Sequence, residues 1–338
     1  AATYAARAGR QVVLIDSAIF PRDKPCGDGL TPRAIAELNA IGLSDWLSGR
    51  ARNKGLRAAG FGQELLLPWP GGSLPNYGGA APRMELDEQI MLIAKAAGAI
   101  VLEGHSATDV VMDAGAIKSV IVKTETGTVT INANSVIIAD GARSQLGRKL
   151  GREWHRDTAY GVAARGYIKS ERHDDQWISS HLELRDDKNE ILSGYGWIFP
   201  LANGEVNVGV GTLATNKRPA DVNLRALMNT YADQQREDWK LSGDIRMPWS
   251  FLLPMGGAVS GIAGKNFMFI GDAAGCVNPL NGEGIDYGLE TGRLAAQMLE
   301  TETDFTVAWP AELRTHYGYA FSIARRLAGL LTVPGLLP

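Results

Sequence analysis

Cysteine is scarce in this chain: among 338 residues only Cys26 and Cys276 occur. They lie in separate loops without paired spacing, which excludes a disulfide-stapled scaffold and a cysteine-based metal centre. Histidine is scarce too, with five scattered residues and no pair spaced to share an ion, so no metal site is expected. Long hydrophobic runs are missing, since nothing reaches the roughly 18 apolar residues of a membrane-spanning helix. A surplus of positive charge is also absent. Lys plus Arg is 34 against 37 for Asp plus Glu, a net charge of −3. That balance argues against nucleic acid as a partner, because phosphate recognition needs a basic surface. No secretory apolar segment opens the sequence, so a reducing cytoplasmic setting is expected.

Glycine, by contrast, is abundant at 40 residues, spread over short turns with no internal repeat. Such punctuation suits an α/β protein with many tight connections, and the length allows one large or two ordinary domains. The most informative stretch is 270–292, IGDAAGCVNPLNGEGIDYGLETG. A short apolar strand ends in Gly271-Asp272, and a helix pattern opens after Gly282-Glu283-Gly284. That order offers backbone N–H groups and a positive dipole end to an anionic ligand. Asp272 can accept a hydrogen bond from a sugar or polyol hydroxyl, while Gly282 and Gly284 let a flat ring approach the backbone. The plainer reading is a tight turn whose Asp only caps the helix.

The first residues, AATYAARAG, read as a small-residue helix, and QVVLID at 11–16 as a buried strand ending in Asp16. In a dinucleotide fold such a helix follows a first strand and a glycine-rich phosphate turn, with an acid about 20 residues past that turn. Here the turn would precede Ala1. A parallel sheet lacking its first strand is therefore expected, holding its cofactor weakly, with Asp16 a candidate ligand for a ribose. The alternative is an ordinary αβ unit ending in a solvated acid. Residues 20–30, FPRDKPCGDGL, form a constrained loop opening onto a helix capped by Thr31 with Pro32 in its first turn. Cys26 within it reads equally as a small buried apolar residue.

Two short strands are expected at 56–69, a helix at 84–97 behind Arg83, and a strand at 99–102. A meander follows at 116–131, and a buried strand at 135–139 delivers Asp140-Gly141. From residue 160 the character changes to β segments at 160–168, 180–184, 193–200 and 205–211, an antiparallel sheet. In GYGWIFPL (194–201), period two places Tyr195, Trp197 and Phe199 on one face, either sheet core or a binding wall. A helix is expected at 221–237. A final one at 309–331 carries Arg325 and Arg326 ahead of an apolar run, which fits a membrane surface or packing against a further segment.

Taken together, PxxKxCGxG at 21–29, ADGARS at 139–144, GYGWIFP and GDAA…P…GxGI resemble the geranylgeranyl reductase family of FAD-dependent oxidoreductases, within the aromatic hydroxylase-like superfamily. The match runs from Asp16 to Gly292 and is most similar to an actinobacterial subgroup acting on the isoprenoid tail of menaquinone. The resemblance implies FAD as cofactor and a Rossmann-like parallel sheet with an inserted antiparallel β-sheet substrate domain. It assigns 1–158 and 251–300 to FAD binding, 159–250 to the substrate domain, and 301–338 to a shortened helical region. It places Lys24, Cys26 and Gly27 alongside the flavin, Arg83 near its phosphate–ribityl chain, and the backbone of Ala107 at adenine. Asp272, Gly282, Gly284 and Ile285 form the second flavin motif, and the Tyr195–Trp197 segment lines an isoprenoid tunnel. The YGW spelling departs from the WxWxIP of flavin halogenases and argues against halogenation.

An isolated alkene offers no carbonyl to polarise, so reduced FAD must supply the hydride while the protein orients the chain and excludes water. Cys26 and Tyr195 are both candidates for the proton donor. The substrate is expected to be an isoprenoid lipid, with NAD(P)H a candidate electron donor and the membrane face a peripheral contact. The rival readings are an aromatic hydroxylase-type monooxygenase and a non-catalytic prenyl-binding escort protein.

Overall fold

The computed structural model describes residues 1–331; the end of the apolar terminal run, 332–338, lies outside the described residues. The chain divides into two compact units. The first comprises Ala1–Arg22, Met84–His155 and Pro254–Arg325, and the second is built chiefly from Asp23–Arg83 and Arg156–Leu253.

Parallel pairing defines the first unit. Val13–Asp16 pairs parallel with Ile100–Glu103, and Val136–Ile138 pairs parallel with Phe267–Phe269. These pairs belong to two separate sheets among the described residues. Phe267, Met268 and Phe269 are buried in succession without alternation, as a strand covered on both faces requires. The helices Ile285–Thr301 and Phe305–Leu331 contribute to that cover, together with Ile117, Val120, Val122 and Leu146. Trp309, fully buried on the second, donates its indole N–H to the Phe269 carbonyl at 2.8 Å. This helix begins four residues earlier than Trp309 suggested, because the Asp304 carboxylate accepts the Thr306 N–H at 2.9 Å and caps it.

The second unit holds a seven-stranded sheet in the order 241–253, 160–170, 205–214, 194–200, 177–181, 55–60, 63–68. All its pairings are antiparallel except Trp177–His181 with Gly55–Gly60. The helix Leu224–Gln234 covers one face, burying Leu227, Met228 and Tyr231 against Ile168, Ile198, Val206, Val208 and Val210. Asn223 caps it, accepting the N–H groups of Arg225 and Ala226 at 3.2 and 3.1 Å, so it starts later than Asp221 suggested. The 13-residue strand Leu241–Leu253 was not expected, since Gly243 and Pro248 interrupt its pattern. It is an edge strand, where a missing ladder N–H costs little.

The opposite face carries three rows set by register. Ala163, Gly211 and Tyr195 share one row, Arg165, Gly209 and Trp197 the next, and Tyr167, Asn207 and Phe199 the third. Antiparallel partners point to the same side, so aromatic rings from one strand stand beside glycines and polar groups from the others.

Candidate active site

In the first unit, the strand Phe267–Phe269 leads into a single turn of 3-10 helix, Gly271–Ala274, entered at φ +54 by Gly271. The Gly271 N–H donates to the Thr291 hydroxyl at 3.1 Å, and that hydroxyl donates to the Tyr287 carbonyl at 2.6 Å. The turn is thereby tied to the helix Ile285–Thr301. Gly284 precedes that helix without any side-chain cap, and a Cβ placed on it would stand 3.5 Å from Asp272 Oδ1. Gly282 sits at φ +74 in the connecting loop. Strand end, carboxylate and glycine-started helix therefore converge, with Ile285 the first helical residue.

Arg152, 8% exposed, joins this turn to the Asp140-Gly141 segment. Its Nε donates to the Ala273 carbonyl at 2.5 Å, and one terminal nitrogen donates to the carbonyls of Ala142 (3.2 Å) and Asp272 (3.4 Å). Burial lowers its pKa, and the Asp140 and Asp272 carboxylates oppose that. Burial, with Asp272 adding to it, pushes the Cys276 thiol up to about 12, so this cysteine stays an unreactive thiol. Asp16 ends its parallel strand; one oxygen accepts the Ala18 N–H at 2.9 Å and the other lies 3.5 Å from Arg22, which also pairs with Asp87. Ala107 lies in Ser106–Asp113 beside a register shift, where a bulge re-aims the backbone.

In the second unit, the cysteine loop lies on the aromatic face. A Cβ on Gly27 would meet Phe199 at 3.3 Å and the Trp197 Nε1 at 3.4 Å, and one on Gly29 would meet Phe199 at 3.0 Å. Glycine at these positions allows that approach. Arg165, with no exposure, donates to the carbonyls of Cys26 (3.1 Å), Lys24 (3.1 Å) and Met247 (3.1 Å) and pairs with Asp23 at 2.6 Å. Asn207 donates to the Cys26 carbonyl and to Asp28 Oδ2, both at 2.9 Å, and accepts the Trp197 indole N–H at 2.9 Å. Tyr195 and Trp197 have ring centroids 6.0 Å apart, Trp197 and Phe199 6.4 Å. The Cys26 side chain is half-buried. Arg83 opens the helix Arg83–Ala96, close enough for its charge to act on Asp28.

The structure thus brings Lys24, Cys26, Gly27 and Trp197 into one assembly, and Asp272, Gly284 and Ile285 into another. Arg165, Tyr167 and Asn207, which hold the first assembly, and Arg152, which braces the second, were not singled out by sequence reasoning. Their signal was present: each of the first three is a polar side chain at an inward position of a strand.

Asp28 is fully buried, and burial raises its pKa from the ordinary 3.8 to about 6, opposed by hydrogen bonds from Tyr167 and Asn207 and by the charges of Arg165 and Arg83. The unfolded chain ionises first, so stability falls as pH rises from about 4 to 6 and levels off above that. At about 1.4 kcal/mol per pKa unit the effect is about 2–3 kcal/mol. Between pH 4 and pH 7.5, Asp28→Asn should gain that much stability relative to the parent protein in denaturant unfolding. A constant difference across this range would refute the buried acid.

A carboxylate closing one parallel strand, and another in the turn that leads from a second to a glycine-started helix, define a dinucleotide-type α/β fold, with an antiparallel-rich sheet in the other unit. The sequence profile described as "FAD binding domain" matches residues 1–301. Over 338 residues the chain is 57% identical to the menaquinone reductase of Mycobacterium tuberculosis, covering 100% of this chain and 82% of that protein. It is 58% identical over 339 residues to the menaquinone reductase of Mycolicibacterium smegmatis, with the same coverage of 100% and 82%. A geranylgeranyl bacteriochlorophyll reductase-like protein from Thermoplasma acidophilum superposes with a TM-score of 0.83 at 21% identity, over 98% of this chain and 84% of that one; this shows the shared fold. The chain belongs to the FAD-binding oxidoreductase family that contains these menaquinone reductases.

The residues present fit FAD. Glycine at the start of a 17-residue helix leaves room for a flat ring, and Asp16 and Asp272 are carboxylates able to accept hydrogen bonds from sugar and polyol hydroxyls.

Proposed function

We propose that this protein reduces one isolated double bond in the isoprenoid side chain of menaquinone. The observation that carries the reading is the cysteine loop, held by Arg165 and Asn207 against the Trp197–Phe199 wall, in a chain so similar to two menaquinone reductases. Bound FAD in its reduced form supplies the hydride. Trp197, fixed through Asn207, and Phe199 form an apolar surface that excludes water and orients the alkene. Asp16 and Asp272 hold cofactor hydroxyls, Lys24, Gly27 and Arg83 flank the flavin and its phosphates, and the Ala107 backbone meets adenine. Cys26 and Tyr195 are side chains at the wall that can carry a proton toward the alkene carbon.

The reading includes NAD(P)H as electron donor and a peripheral encounter with the membrane, where a menaquinone tail resides. No helix among the described residues is long and apolar enough to cross a membrane. Mass spectrometry of quinones from cells with and without the gene tests the reading. Deletion should leave menaquinone lacking two hydrogens; an unchanged menaquinone pool would refute it, and altered prenyl alcohols or ether lipids would reassign the substrate. Cys26→Ala should lower kcat by about 100-fold, as expected for loss of a group on the proton's route, with FAD content unchanged. Turnover at the parent rate would remove Cys26 from the chemistry.

A further inference from the structure

Asp28 occupies an unspecified position of the PxxKxCGxG stretch and is not among the residues assigned to the flavin or the aromatic wall, yet its setting is unusual. It has no exposure and holds φ +62, a left-handed conformation uncommon outside glycine, asparagine and aspartate. Its Oδ2 accepts two hydrogen bonds, from the Tyr167 hydroxyl at 2.7 Å and from Asn207 Nδ2 at 2.9 Å. The orientation of Asn207 is fixed independently. The Trp197 indole nitrogen can only donate, so the Asn207 oxygen must face it and the amide nitrogen must face Asp28 and the Cys26 carbonyl. With Oδ2 committed as an acceptor, a proton on this carboxyl resides on Oδ1. That oxygen is buried and has no hydrogen-bond partner among the described residues.

The charged and titratable groups around it are few. Tyr167 and Arg165 come from the strand Tyr160–Ser170, and Arg83 from the start of the helix Arg83–Ala96. Asp23, Lys24 and Cys26 lie on its own loop. Arg165 directs its hydrogen bonds to Asp23 and three carbonyls, so Asp28 has no dedicated counter-ion among the described residues. A buried carboxyl with one oxygen saturated by donors and the other unpartnered is a poor structural anchor, since an unmet buried polar atom costs free energy. It is a good place to keep a proton.

We propose that Asp28, in its protonated form, holds on Oδ1 the proton consumed in double-bond reduction. The proposal rests on the reading of this chain as an isoprenoid double-bond reductase. In the reaction the C=C π bond breaks and two C–H bonds form. One carbon receives a hydride, whose electron pair comes from reduced FAD, and the other receives a proton that leaves Asp28 by breaking its O–H bond. The alkene is reduced, the cofactor is oxidised, and the remaining carboxylate keeps its hydrogen bonds from Tyr167 and Asn207 until solvent returns a proton.

Asp28→Asn separates this role from a structural one. Asparagine tolerates the left-handed backbone and keeps an oxygen for Tyr167 and Asn207, but has no acidic proton. It should slow menaquinone reduction by about 100-fold or more and remove the loss of rate that the parent enzyme shows as pH rises. FAD affinity by fluorescence titration should stay within about two-fold. A second readout needs no turnover: pH-difference infrared spectroscopy of the flavin-free protein should show a carboxylic acid band that titrates with rising pH and is missing in Asp28→Asn. Parent-like rate and pH profile in Asp28→Asn, or no such band in the parent protein, overturns the proposal. A parent enzyme that reduces no isoprenoid overturns the functional reading together with it; an active parent with an indifferent Asp28→Asn overturns the proposal alone.

Discussion

Replacing Arg165 with leucine is expected to cost about 3–5 kcal/mol, the range for breaking a buried ion pair from one side. The guanidinium has no exposure, lies over the Tyr167 ring at 4.7 Å, and satisfies the Asp23 carboxylate together with the carbonyls of Lys24, Cys26 and Met247. Leucine would leave a carboxylate and three carbonyls without these donors. Lysine would recover only part of the loss, because one ammonium lacks the planar fork that serves four acceptors. Denaturant unfolding should show the midpoint falling for Arg165→Leu and by a smaller amount for Arg165→Lys. Limited proteolysis should detect early cleavage between Asp23 and Gly29 in both. A leucine variant within about 0.5 kcal/mol of the parent, the range of ordinary surface substitutions, would show that the loop is held by something else.

The second large effect falls on the flavin motif. Arg152→Leu removes the donors to Ala142, Asp272 and Ala273, three carbonyls in two segments that chain connectivity alone does not hold together. Hydrogen bonds from a charged group contribute about 1.5–3 kcal/mol each, and losing several at a buried site should destabilise the protein by about 3 kcal/mol. FAD affinity should weaken by about 10- to 100-fold, because the Asp272 carboxylate is positioned by the turn that Arg152 braces. Flavin fluorescence titration checks this directly. An unchanged dissociation constant would separate Arg152 from cofactor binding and leave it a purely structural role.

What could be read from the residues was what depends on neighbours in sequence. The strand–acid–glycine–helix order at 270–292 is local, and Asp272 and Gly284 stand where that order implies. The alternation of Tyr195, Trp197 and Phe199 fixed a shared face before any partner was known. The residues that complete the site act at long range. Arg165 reaches Cys26 across 139 positions and Asn207 across 181. Their importance follows from the register Arg165–Gly209–Trp197 and Tyr167–Asn207–Phe199, and period-two patterning cannot say which strands will be neighbours. The edge strand Leu241–Leu253 escaped notice for a related reason. Edge pairing tolerates the glycine and proline that otherwise signal a loop. The helix starts differ from those expected at Asp221 and Trp309 because Asn223 and Asp304 supply the caps.

The two glycines that flank the Trp197 row bear on how this enzyme can diversify. A methyl on Gly209 would lie 2.1 Å from the indole, and a methyl on Gly196 would lie 2.3 Å from the Tyr231 ring on the helix-covered face. Aromatic rings thus press on the same narrow strip of backbone from both sides. The aromatic face and the hydrophobic core are two surfaces of one partition, and neither can be redrawn without redrawing the other. Gly211 is the exception, since an added methyl there would meet Trp197 only at 3.6 Å and Ala163 at 3.8 Å. Of the three glycines, Gly211 is where the aromatic face can accept a side chain, while Gly209 and Gly196 hold the Trp197 row in shape.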